Sequence, residues 1–133
     1  MIKGRCECGK VTFDVDGEIL DFSHCHCSQC RRLHGAAYGT FAGVARDQFR
    51  YTSGEDDITV YASSAKNDRV FCSTCGSTIM VDPKQDPKYL YLSMSAIEGH
   101  PPLPDGYHIY VGSKAPWHEI TDDLPQHEGD VPT

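Results

Sequence analysis

The chain lacks any apolar run near the roughly 20 residues that a membrane-spanning helix needs, so no membrane span is expected. It is poor in positive charge, with 12 Lys and Arg against 19 Asp and Glu and a formal charge of −7. An acidic surface repels phosphate backbones, which argues against a nucleic-acid partner. Only 39% of its residues are hydrophobic, modest material for a core, and bound metal would help such a chain fold. The opening residues Met1, Ile2, Lys3 and Gly4 lack the apolar run of a signal peptide. A reducing, cytoplasmic setting is therefore expected. The cysteine count is odd, at seven, and no cysteine follows Cys75. A disulfide framework would leave one thiol unpaired, whereas the clustering of the seven points to metal.

What is present reads as short strands. Val11, Phe13 and Val15 alternate with Thr12 and Asp14, the period of a half-buried strand. Tyr89 to Met94 and Tyr107 to Val111 alternate in the same way, Tyr38 to Val44 is apolar and aromatic with small residues and suits a packed strand, and Arg69 to Cys72 and Thr78 to Val81 lead into and out of a Cys-Gly turn. Phe49 to Thr52 and Ile58 to Ala62 flank Ser53-Gly54-Glu55-Asp56, which predicts a hairpin turn. One short helix is predicted, with Ser28 as cap, Gln29 to His34 as body and Gly35 as stop. Domain organisation reads as one domain over 1–124. A flexible acidic tail over 125–133 is expected from its Pro, Gly and acidic residues.

Two cysteine groups carry the chemistry. Cys6-Glu7-Cys8-Gly9 and Cys72-Ser73-Thr74-Cys75-Gly76 are knuckle sequences. Each brings two sulfurs to one point, and the glycine takes the backbone angles that the turn demands. Four thiolates would hold a Zn²⁺ ion in a closed tetrahedron, a structural site. The second group, Cys25-His26-Cys27-Ser28-Gln29-Cys30, places three sulfurs within six residues. With the other four cysteines engaged, zinc there would have three protein ligands and one free position, the usual form of a catalytic zinc. Cys30 falls in the first helical turn, where the dipole favours a thiolate. Arg31 and Arg32 follow and can offset the remaining charge, or serve as a solvated helix face. A histidine ligand would instead close the site. His34 lies one helical turn after Cys30, and His24 and His26 flank Cys25. Two Zn²⁺ per chain are expected on either reading.

Four blocks in order resemble one family. They are Gly4-Arg5-Cys6-Glu7-Cys8-Gly9; His24-Cys25-His26-Cys27-Ser28-Gln29-Cys30-Arg31-Arg32 with Gly35; Phe71-Cys72-Ser73-Thr74-Cys75-Gly76-Ser77; and His108-Ile109-Tyr110-Val111 with Ser113-Lys114-Ala115-Pro116-Trp117. Together they resemble the glutathione-dependent formaldehyde-activating enzymes, a family that includes centromere protein V. The resemblance implies a mainly β fold, a β-tent of two antiparallel sheets with one short helix, stitched by a structural zinc at Cys6, Cys8, Cys72 and Cys75. It implies a functional zinc at Cys25, Cys27 and Cys30. It also implies a carbon–sulfur lyase whose partners are a glutathione-like thiol and an aldehyde, related through S-(hydroxymethyl)glutathione. Tyr38, Phe41, Arg31, Arg32 and Trp117 are candidates to contact the thiol's peptide part, with core packing as the alternative role of the aromatics. The competing reading is a non-catalytic zinc module that binds a protein partner. Methionine sulfoxide reductase chemistry, on the same architecture, needs a nucleophilic cysteine late in the chain, and none follows Cys75.

Overall fold

A computed structural model describes residues 1–131. The strands are β1 (Ile2–Arg5), β2 (Thr12–Val15), β3 (Asp21–Cys25), β4 (Gly39–Ala45), β5 (Phe49–Ser53), β6 (Ile58–Ala62), β7 (Asn67–Cys72), β8 (Thr78–Pro83), β9 (Tyr89–Ser93) and β10 (Tyr107–Ile109). The helix α1 (Ser28–His34) joins β3 to β4. Two sheets form, ordered β1-β2-β5 and β10-β3-β4-β9-β8-β7-β6. This is the mainly β, two-sheet fold with one short helix that the sequence predicts. No helix among the described residues is long and apolar enough to cross a membrane.

One core joins the sheets. Val11, Phe13 and Val15 bury their side chains with Ala42 and Val44 of β4, Ile79 of β8 and Leu92 of β9. Removing such a side chain from water stabilises by about 1.5–3 kcal/mol. The alternation in β2 is incomplete, because Asp14 is also shielded. Lys3 and Arg50, on the flanking strands, lie over it at 3.1 and 3.3 Å. The hydrogen bond from Lys3 holds the Asp14 carboxyl below the usual carboxylate range.

Two features differ from the sequence expectation. The strands around Ser53-Gly54-Glu55-Asp56 do not form a hairpin. β5 pairs with β2 in the small sheet and β6 with β7 in the large one. Gly54, at φ 75°, turns the chain from one sheet to the other. The sheets are also not wholly antiparallel. β10 runs parallel to β3, with His108 beside His24 and Ile109 beside Cys25, because a long connection from β9 brings the chain back in the same sense.

The expected tail starts beside this strand. The His108 amide donates to the Pro125 carbonyl at 2.8 Å, His127 to His108 at 3.0 Å and Tyr110 to Gly129 at 2.9 Å. The last two residues of that expected tail lie outside the described residues.

Candidate metal centres

The four-cysteine cluster is two matching turns set face to face. After β1, the Gly9 amide donates to the Cys6 carbonyl at 3.2 Å, with φ of 80° at Gly9. After β7, Gly76 donates to Cys72 at 2.8 Å, with φ of 78°. These are the left-handed angles for which the knuckle glycines were read. The four Sγ atoms lie within 4.8 Å of one another, with Cys6–Cys8 at 3.5 Å and Cys8–Cys72 at 3.8 Å. A tetrahedron with metal–sulfur bonds of 2.3 Å has edges of about 3.8 Å, so the cluster fits a metal ion. The Val11 amide points at Cys6 Sγ from 3.3 Å. The Ser77 hydroxyl, 3.2 Å from Cys75 Sγ, draws that thiol down to about 5. Cys6 and Cys72 are buried, while Cys8 and Cys75 are exposed.

The second cluster forms where β3 gives way to α1. Cys25 closes the strand, Cys27 occupies the helix N-cap and Cys30 sits in the first turn. Cys27 is the cap where Ser28 was expected, because its sulfur accepts from the Cys30 amide at 3.2 Å. Gly35, in the left-handed region at φ 59°, ends the helix as expected. The three sulfurs lie within 4.8 Å of one another. Cys25 and Cys30 are buried and Cys27 is half-buried. Hydrogen bonds from Cys25 and then Cys30 hold the Cys27 thiol far below its usual range, and the same crowding pushes Cys25 up. A cation among the three sulfurs would let all of them ionise. This donor set also fits a soft-ligand metal ion.

Sequence reasoning missed Arg69. From β7 it reaches α1, donating through Nη2 to Cys30 Sγ at 3.3 Å and to Gln29 Oε1 at 3.2 Å. It is 8% exposed, lies 5.9 Å over the Phe41 ring, and its Nη1 is 3.5 Å from His34 Nε2. The available signal was an arginine at the start of the strand that leads into the Cys72 knuckle. Phe41 is buried in the core cluster beside Cys25 and Cys30, whereas Trp117 is 71% exposed.

The histidines face elsewhere. His24 Nδ1 is 3.0 Å from Thr40 Oγ1. His26 Nε2 lies 2.8 Å from His108 Nδ1, and His108 Nε2 lies 3.0 Å from Asp122. Among the described residues no histidine nitrogen joins the three-sulfur group. Burial, and then the neighbouring His108, push His26 down to about 4, so it is a neutral ring at neutral pH.

A sequence model of the glutathione-dependent formaldehyde-activating enzymes matches residues 1–113. The chain belongs to that family. The matched span of this family member includes both cysteine groups, Arg69 and His108, and stops short of Trp117 and Asp122. A Halomonas elongata protein with the provisional name glutathione-dependent formaldehyde-activating enzyme is 28% identical over 128 residues, 90% of this chain and 81% of its own. A Schizosaccharomyces pombe protein named as an uncharacterized lyase is 29% identical over 77 residues, 58% of this chain and 54% of its own. The crystal structure of a Rhodobacter sphaeroides protein superposes with a TM-score of 0.62 at 30% identity, covering 75% of this chain and 91% of that one.

Proposed function

We propose that the chain is a zinc-dependent carbon–sulfur lyase acting on the adduct of a low-molecular-weight thiol and an aldehyde, such as S-(hydroxymethyl)glutathione. The observation that carries this reading is a group of three converging sulfurs that no fourth protein donor joins among the described residues. Cys6, Cys8, Cys72 and Cys75 would hold a structural zinc. Cys25, Cys27 and Cys30 would hold the functional one. A zinc ion with a free position supplies a Lewis acid that lowers a thiol's pKa from about 8.5 toward neutrality. In the lyase direction the adduct's carbon–sulfur bond breaks, its hydroxyl gives up a proton, and thiol and aldehyde leave; condensation is the reverse. Seven unpaired thiols suit a reducing, cytoplasmic setting.

The chain's own residues prepare this site. Arg69 places a fixed positive charge against Cys30. The packing of Phe41 excludes water from the inner side. Asp122 meets His108 Nε2, His108 Nδ1 meets His26 Nε2, and His26 Nδ1 is enclosed without a partner. This chain fixes the orientation of the ring between Cys25 and Cys27.

Cobalt substitution tests the reading. Absorption bands of cobalt at the three-cysteine site should shift when glutathione is added, and the adduct should turn over. An unchanged spectrum at saturating thiol would leave the non-catalytic, partner-binding module as the better account.

A further inference from the structure

We propose that Arg31, laid against Trp117 at the outer face of α1, forms a carboxylate subsite that selects acidic thiols over neutral ones. The assignment rests on the thiol-site reading above and adds what the rest of the thiol must look like.

Acidic residues outnumber basic ones in this chain, 19 to 12, so a free arginine is unexpected. Arg5, Arg46 and Arg50 each meet a carboxylate. Arg31 and Arg32 meet none among the described residues. Arg31 is nevertheless held in place. Its guanidinium carbon lies 5.8 Å from the centre of the Trp117 ring, and its Nε is enclosed without a hydrogen-bond partner. The edge carrying its two Nη groups can offer a carboxylate a planar, two-point contact.

The position suits a ligand whose sulfur enters the three-cysteine site. Cys27 is the least buried of the three, so the site opens on its side. The Arg31 amide donates to the Cys27 carbonyl at 3.0 Å, which places Arg31 one turn along the same helix face. One turn is about 5.4 Å, a span that a thiol and a carboxylate several bonds apart can bridge. A cavity of about 350 Å³ adjoins Arg31 on the side away from the cysteines, lined by Arg31, Arg32, Gly35, Ala36, Ala37 and Trp117 and by none of the three sulfurs. No acidic residue lines it, and the three small residues leave room for a peptide backbone.

The test is calorimetric titration of the two-metal protein with glutathione, glutathione diethyl ester and 2-mercaptoethanol. Wild type should bind the free acid at least about tenfold more tightly than the ester, as expected for one charge-assisted pair. Arg31→Gln should bring acid and ester to within about twofold, with metal content per chain unchanged. If Arg31→Gln fails to keep both metals, Trp117→Ala, which alters an exposed ring, should reduce the preference by about threefold. Equal binding of acid and ester by wild type overturns the subsite and leaves the thiol site standing. So does a preference that survives in the folded variant. No binding of any of the three thiols overturns the thiol site itself, and the subsite with it.

Discussion

Arg69 sets the charge balance of the three-cysteine site. Three thiolates around a divalent ion leave one net negative charge in a mostly buried place. A buried charge without a partner costs several kcal/mol. Arg69 supplies the partner, and Gln29 holds one arm of its fork. Arg69→Met should therefore weaken metal binding at Cys25, Cys27 and Cys30 by about ten- to a hundredfold, while the four-cysteine cluster, which Arg69 does not touch, keeps its ion. Chelator competition read as metal per chain checks this: a plateau at one ion is expected. Equal retention of both ions would show that Arg69 only packs. The three cysteines were legible in the sequence because their spacing forces the sulfurs together locally. Arg69 was not, since it lies 39 positions from Cys30 and only the order of strands in the large sheet carries it to α1.

Helix α1 has seven residues, too few to be stable alone in water. Contacts from β7 and β8 hold it, including Arg69 and a hydrogen bond from Thr78 to the Leu33 carbonyl. Its ends were legible from Gly35 and the polar start, but the cap was misassigned by one residue. Serine is the usual cap, and nothing in the sequence says that a cysteine takes its place until the Cys27 sulfur is seen facing the Cys30 amide. This gives Cys27 two roles that one substitution can separate. Serine preserves an N-cap acceptor and removes the soft metal ligand. Cys27→Ser should stay folded, keep one metal per chain and lose thiol-dependent turnover. Circular dichroism, metal analysis and an activity assay check the three together, and a fully active variant would refute the assignment. The failed hairpin has a similar cause. Strand pattern and turn chemistry located β5 and β6 well, and β6 turns back over residues 63–66 onto its neighbour β7, yet the partner of β5 is β2, far earlier in the chain, a pairing set by long-range packing that local sequence does not encode.

At the scale of the molecule, the proposed division of work between the two clusters follows from where they sit. Cys8 and Cys72 are 64 positions apart, one after a strand of the small sheet and one at the end of a strand of the large sheet. A metal at the four-cysteine cluster therefore closes a loop of about 60 residues, and the entropy that such a closure removes from the unfolded chain is on the order of 4 kcal/mol. Domains of this size are stable by only about 5–15 kcal/mol. The three-cysteine cluster closes a loop of a few residues and ties no distant strands together. Cys8→Ser should thus lower unfolding stability by several kcal/mol, although Cys8 is exposed and packs against little. Cys27→Ser, at a more buried position, should lower it far less. Urea unfolding of the two variants in parallel decides the matter. Burial alone would predict the opposite ranking, so a larger loss for Cys27→Ser would reverse the division between a structural cluster and a chemical one.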